Sequence, residues 1–236
     1  MTIIRILTNE YNGITRESLL ETVAFLCALL IALVLHEIAH GLVAYWNGDI
    51  TAKYYGRLSL NPLKHFDMMG LLMMLIVGFG WAKPVPVNAN NFKNRKVGAI
   101  TVSLGGIVTN LILAFLFSAL YVFLGQVLVE KHSALYYLVY FLVYLGFYTS
   151  WLNINFALFN LLPLYPLDGY RLIACFVDDR RPFMVFLRRY SFYIMIGLLL
   201  IGYVPLLSNF SPLDWYIGGL GGIILDAFQS FWGLFV

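Results

Sequence analysis

The sequence predicts an all-α polytopic membrane protein with about five to six transmembrane helices and a small membrane-re-entrant β or loop element. Three observations lead there. Hydrophobic residues make up 61% of the 236 and charged residues only 11%. A soluble domain carries roughly 25% charged residues, and this chain lacks the polar side chains to cover a globule. Residues 98–129, 133–167 and 190–213 contain no Lys, Arg, Asp or Glu, and each exceeds the about 20 residues that cross a hydrocarbon core of about 30 Å. The basic residues are also segregated by loop, as a polytopic protein requires.

In chain order, residues 1–21 hold three glutamates. The apolar run after them outlasts a signal-peptide core, so no cleavable signal is expected. Residues 22–48 form the first span, interrupted by Glu37, His36 and His40. Residues 68–82 are uncharged but too short to cross comfortably. Pro84 and Pro86 then alternate with valines, which favours extended backbone and removes donors. Irregular backbone at membrane depth is tolerated only inside protein or beside a wet cavity. Residues 68–91 therefore read as a re-entrant hairpin, with a short tilted span followed by a surface loop as the alternative. Residues 98–129, 133–167 and 190–213 are the next spans. A glycine-rich stretch, 215–236, interrupted by Asp226, is the fifth.

No repeat and no long soluble insertion breaks the chain, so residues 1–236 read as one unit. Its core is about 22–171, with additional helices over about 190–236. With 68–91 re-entrant, loops 49–67, 83–96 and 168–189 share a side and carry 12 of the 15 basic residues, which assigns them to the cytoplasm. A net charge of +3, so dispersed, leaves no footprint for nucleic acid. Cys27 and Cys175 stand far apart in apolar surroundings, which excludes a disulfide framework and a cysteine metal knuckle.

His36-Glu37-Ile38-Ala39-His40 is the HExxH pattern. Residues i and i+4 share a helix face, so two imidazoles can grip one tetrahedral zinc. Glu37 is placed to take a proton from a zinc-bound water. In a soluble helix such a pattern often marks only a solvated face. At membrane depth each ionisable group costs at least about 2.5–3.5 kcal/mol on insertion scales, so three within five residues mark a site. His40 precedes Trp46 by six residues, about 9 Å of helix, which sets the site nearer the cytoplasmic face than the midplane. A third ligand is needed, and Asp168, Asp226, His65 and Asp67 are the candidates. Asp168 fits best: Pro163 and Pro166 unwind the backbone before it and Gly169 permits a bend.

These residues resemble the site-2 protease family of intramembrane zinc metalloproteases. The family's second motif, Asn-x-x-Pro-x-x-Pro-Leu-Asp-Gly, is met by Asn160, Pro163, Pro166, Leu167, Asp168 and Gly169. The resemblance covers roughly residues 22–171 and implies one Zn2+ held by His36, His40 and Asp168, with Glu37 as general base. It also implies that Asn160 contacts a substrate or transition-state carbonyl. Gly106-Ile-Val-Thr-Asn110 looks like the third motif, with Asn110 facing substrate, although small-xxx-small spacing also reads as helix packing. Residues 80–94 are similar to the re-entrant strand region of short bacterial members, where an unwound substrate would pair. His65, in Asn61-Pro-Leu-Lys-His65-Phe-Asp67, is either a charge-stabilising group near zinc or a lipid-boundary residue. The PDZ and nucleotide-sensing domains of many relatives are absent from the pattern. The resemblance implies a multi-pass protein of a bacterial membrane that cuts transmembrane segments of other proteins, with the bilayer as its other partner. A membrane zinc transporter and a non-catalytic client-binding scaffold are the alternatives, and the sequence leaves oligomeric state open.

Overall fold

Among the described residues of the computed structural model, four helices are long and apolar enough to cross a bilayer, which points to an integral membrane protein. The structure describes residues 15–65, 67–70, 72, 82–204 and 210–236. Regular secondary structure among these residues is helical throughout.

Helix α1, Arg16–Trp46, starts before the predicted residue 22. Thr15 caps it by accepting the Ser18 N–H at 3.1 Å, while the Ser18 hydroxyl accepts the Thr15 N–H at 2.9 Å. The extra turns carry Glu21 inward, where the hydroxyl of Tyr148 donates to its carboxylate. Helix α2, Arg95–Gly125, is capped by Asn94 and helix α3, Ala134–Leu161, by Ser133. Helix α3 stops short of the predicted residue 167, because Pro163 and Pro166 cannot continue its hydrogen-bond ladder. A short helix α4, Asp168–Ala174, follows, and then α5, Pro182–Tyr203. Helix α5 begins eight residues before the predicted residue 190 and takes Arg188 and Arg189 into its first turns, with Pro182 at a starting position that needs no amide.

The fifth predicted span has a different form. Residues 212–214 make one helical turn, Trp215–Gly219 a wide π turn, and only Leu220–Gly233, helix α6, is regular. Its 14 residues fall short of the about 20 that cross hydrocarbon, so α6 is not among the four helices long enough to cross. It packs on the bundle, with Leu225 against Ala114, Ile154 and Leu158. The Trp232 indole donates to the Phe115 carbonyl at 2.9 Å. The centre of the predicted re-entrant element, residues 71 and 73–81, lies outside the described residues. Its described end, residues 83–88, is irregular backbone.

Helices α1, α2 and α3 form the central three-helix layer. Phe25, Ala28, Leu29 and Ala32 of α1 pack on Tyr148 and Leu152 of α3. At Gly146 a methyl group would lie 2.8 Å from the Tyr121 backbone nitrogen, so α3 approaches α2 backbone to backbone. The Ser150 hydroxyl, donating to the Ala114 carbonyl at 2.9 Å, fixes their register.

Candidate metal centre

His36 and His40 leave α1 on one face and meet Asp168 of α4. The two Nε2 atoms stand 3.1 Å apart, and Asp168 Oδ2 lies 3.4 Å from that of His36 and 3.1 Å from that of His40. All three residues are buried. Ligands at about 2.0–2.1 Å from zinc define a tetrahedron with edges of about 3.3 Å, so this triangle matches one face of such a site.

The residues behind the ligands fix which atoms face inward. His40 Nδ1 lies 2.8 Å from the Val102 carbonyl, which can only accept, so Nδ1 carries the proton and Nε2 presents its lone pair. His36 Nδ1 lies 3.1 Å from Asn110 Oδ1 and is set in the same tautomer. Two imidazole lone pairs and a carboxylate oxygen, Asp168 Oδ2, which accepts no hydrogen bond, thus converge in a buried space. Three acceptors in mutual contact repel unless a cation lies among them, and nitrogen and oxygen donors in this number suit zinc. The residues present therefore fit the metal. Arg171 Nη1, 3.5 Å from the other carboxylate oxygen of Asp168, holds it from outside.

Asp168 reaches the histidines because α4 doubles back on the end of α3. A methyl group at Gly169 would lie 2.2 Å from the Leu161 carbonyl oxygen. Glycine serves a close approach here, in place of the bend predicted for it. Asp168 is itself the first residue of α4, so it points inward from a helix start, where a loop was expected.

Glu37, half-buried on α1, accepts the Val85 N–H at 2.8 Å through Oε2. Asn160 is half-buried near the end of α3 and donates to the Phe156 carbonyl at 3.1 Å. Asn110 is fully buried and spends its oxygen on His36, while its Nδ2 has no partner. Its oxygen thus braces His36 from behind the cluster. His65 is not part of the cluster: it is fully buried, and its Nε2 donates to the Ser59 carbonyl at 2.8 Å. Asp67 accepts the Gly70 N–H at 2.9 Å, and Asp226 is exposed on α6, so neither competes for the metal.

Sequence reasoning missed two groups. Gly106 lies against both histidines: a methyl group there would sit 2.4 Å from His36 Cε1 and 2.6 Å from His40 Nε2. The Val102 carbonyl, which sets the tautomer of His40, is invisible in any side-chain pattern. The glycine in Gly106-Ile-Val-Thr-Asn110 was the available signal, since it lies one helical turn from Asn110 on the same face.

Residues 131–202 match the model of peptidase family M50. YwhC of Bacillus subtilis (strain 168) is 46% identical over 148 residues, which cover 61% of this chain and 65% of that relative. Rip2 of Mycolicibacterium smegmatis is 28% identical over 220 residues, 86% of this chain and 79% of that relative. Both relatives carry names that class them with the zinc metalloproteases. No solved structure matches significantly. The HExxH helix and the Asn160–Gly169 motif thus join at one buried cluster in a chain that is similar to peptidase family M50 over residues 131–202 and spans about 65% of the length of YwhC.

Proposed function

We propose that this protein is an intramembrane zinc metalloendopeptidase that hydrolyses peptide bonds within or near transmembrane segments of other membrane proteins. The observation that carries the reading is the meeting of His36, His40 and Asp168 in bonding reach of one ion, with Glu37 adjacent on the same helix. Zinc bound there supplies a Lewis acid and lowers the pKa of a coordinated water toward about 7. Glu37 accepts the proton of the attacking water and returns it to the leaving amine. The side-chain amide of Asn160, with one N–H beyond its bond to Phe156, donates to the carbonyl oxygen as it gains charge. Asn110 keeps His36 in register, and His65 acts through the loop that it ties down.

A helical substrate hides its scissile carbonyl and must be opened first. The extended segment 83–88 beside Glu37 gives it an edge to open against, consistent with a re-entrant element over 68–91. The helical run 212–233 completes a fifth crossing if its π turn lies in the bilayer. The basic loops support an active site nearer the cytoplasmic face of a bacterial membrane. The whole chain forms one catalytic unit. The transporter alternative would need ligands strung along a pathway, and among the described residues the cluster at His36, His40 and Asp168 stands alone.

The test is Glu37→Gln in the full chain reconstituted in liposomes with a model transmembrane substrate. We expect zinc content to stay at one per chain and cleavage to fall by at least about 100-fold. Cleavage at the parental rate would refute the reading.

A further inference from the structure

We propose that Arg57 is a positioning residue for Glu37, acting through the extended segment 83–85. The inference rests on the protease reading above and adds to it the device that aims the base.

Arg57 is 7% exposed, and among the described residues it faces no carboxylate. Its Nη2 donates instead to two successive carbonyls, Lys83 O at 2.5 Å and Pro84 O at 3.3 Å, while its Nε is buried with no partner. A buried guanidinium without a counter-ion is costly. A surface arginine covering the same loop would avoid that cost, so this geometry calls for a purpose.

The sequence of the clamped segment supplies one. Pro84 and Pro86 have no N–H, so Val85 is the single amide in the tripeptide 84–86, and that amide bonds Glu37 Oε2 at 2.8 Å. The segment is held on its other side as well, since Lys83 N donates to the His65 carbonyl at 2.9 Å. Val85 and Leu58, the neighbour of Arg57, both pack on α1 one turn past Glu37. A methyl group at Gly41 would lie 2.6 Å from Leu58 Cδ2 and 3.2 Å from Val85 Cγ1. Arg57 thus braces this segment against the helix that carries the base. One Glu37 oxygen is pinned, and the other is turned to a fixed direction for the water. Misplacing a reacting group by about 1 Å can cost about 100-fold in rate.

The test compares Arg57→Gln and Arg57→Lys in the full-length protein in lipid. Three readouts are needed: kcat and KM on a model transmembrane substrate, zinc per chain, and hydrogen exchange of the single amide within 84–86. For Arg57→Gln we expect kcat to fall at least about tenfold with KM and zinc content unchanged. The Val85 amide should exchange at least about tenfold faster. Arg57→Lys, which keeps the charge but not the fork, should recover part of both losses. Glu37→Ala should expose the Val85 amide with Arg57 intact. Unchanged Val85 exchange in Arg57→Gln, or loss of zinc in step with activity, would overturn the proposal. Should the parent protein cleave nothing, the protease reading fails, while the exchange and zinc measurements still decide whether Arg57 sets the contact between Val85 and Glu37.

Discussion

Gly106 is the residue whose role is most sharply set by distance. The two imidazoles pass so close to its Cα that any side chain displaces them. Alanine is a better helix former than glycine by about 1 kcal/mol, so Gly106→Ala should leave α2 folded while moving His36 and His40. We expect zinc affinity to fall about 10–100-fold with little change in helicity, measured by competition with a zinc chelator and by circular dichroism. At this scale the cluster of His36, His40 and Asp168 was legible in the sequence and its supports were not. HExxH encodes its geometry in a four-residue helical step, and Pro163 and Pro166 announce that the chain breaks before Asp168. Nothing comparable marks Val102, because a carbonyl has no side-chain signature and the contact depends on how α2 crosses α1. Asn110 was legible as a site residue, but its partner was not: a buried carboxamide beside an imidazole and one beside a substrate look the same in sequence.

Between elements, the joint after α1 is organised by one carboxylate. Asp49, fully buried, accepts the Asn88 N–H at 2.7 Å, the Asn91 side-chain amide at 2.8 Å and the Thr51 N–H at 3.1 Å. It thereby binds the end of α1 to the loop that leads into α2. Burial pushes its pKa up, but the hydrogen bonds from Thr51, Asn88 and Asn91 outweigh burial and leave it below the ordinary carboxylate range. A depressed folded value means that this contribution is complete above the unfolded pKa of about 4 and disappears as pH falls through the folded value. Thermal unfolding in detergent should therefore show the parent losing stability below about pH 4, with the Asp49-dependent part of that loss missing in Asp49→Asn. At neutral pH, Asp49→Ala should cost about 3 kcal/mol by stranding its donors. The helices themselves were legible wherever uncharged runs ended in clear stops. Boundaries slipped where polar residues found partners inside the bundle, as Glu21 did with Tyr148, and where α5 began early with Arg188 and Arg189.

At the scale of the whole molecule, orientation can be read from two native thiols. Cys27 is half-buried within α1, and Cys175 is half-buried at the end of α4 in the basic loop. Burial raises the pKa of the Cys175 thiol although Lys96 opposes the shift, so labelling should be slow at neutral pH and quicken as pH rises. We expect a membrane-impermeant maleimide to modify Cys175 in inside-out vesicles and not in intact cells, as judged by mass spectrometry. Labelling from outside would invert the topology. The segregation of basic residues is the sequence feature behind this expectation. The form of residues 212–233 was not legible, because glycine-rich apolar sequence, as at Gly218, Gly219, Gly221 and Gly222, satisfies a hydropathy count without fixing one regular helix. The placement of Asp168 also bears on biogenesis. His40 and Asp168 are about 130 positions apart, so a nascent chain that has threaded only α1, α2 and α3 into lipid holds two of the three donors. Ion capture must await the docking of α4, and the ion then rivets the early part of the chain to the late part, its affinity becoming part of the folding energy. A truncated or half-inserted copy lacks the complete donor set, so the cluster itself reports whether the chain has finished folding.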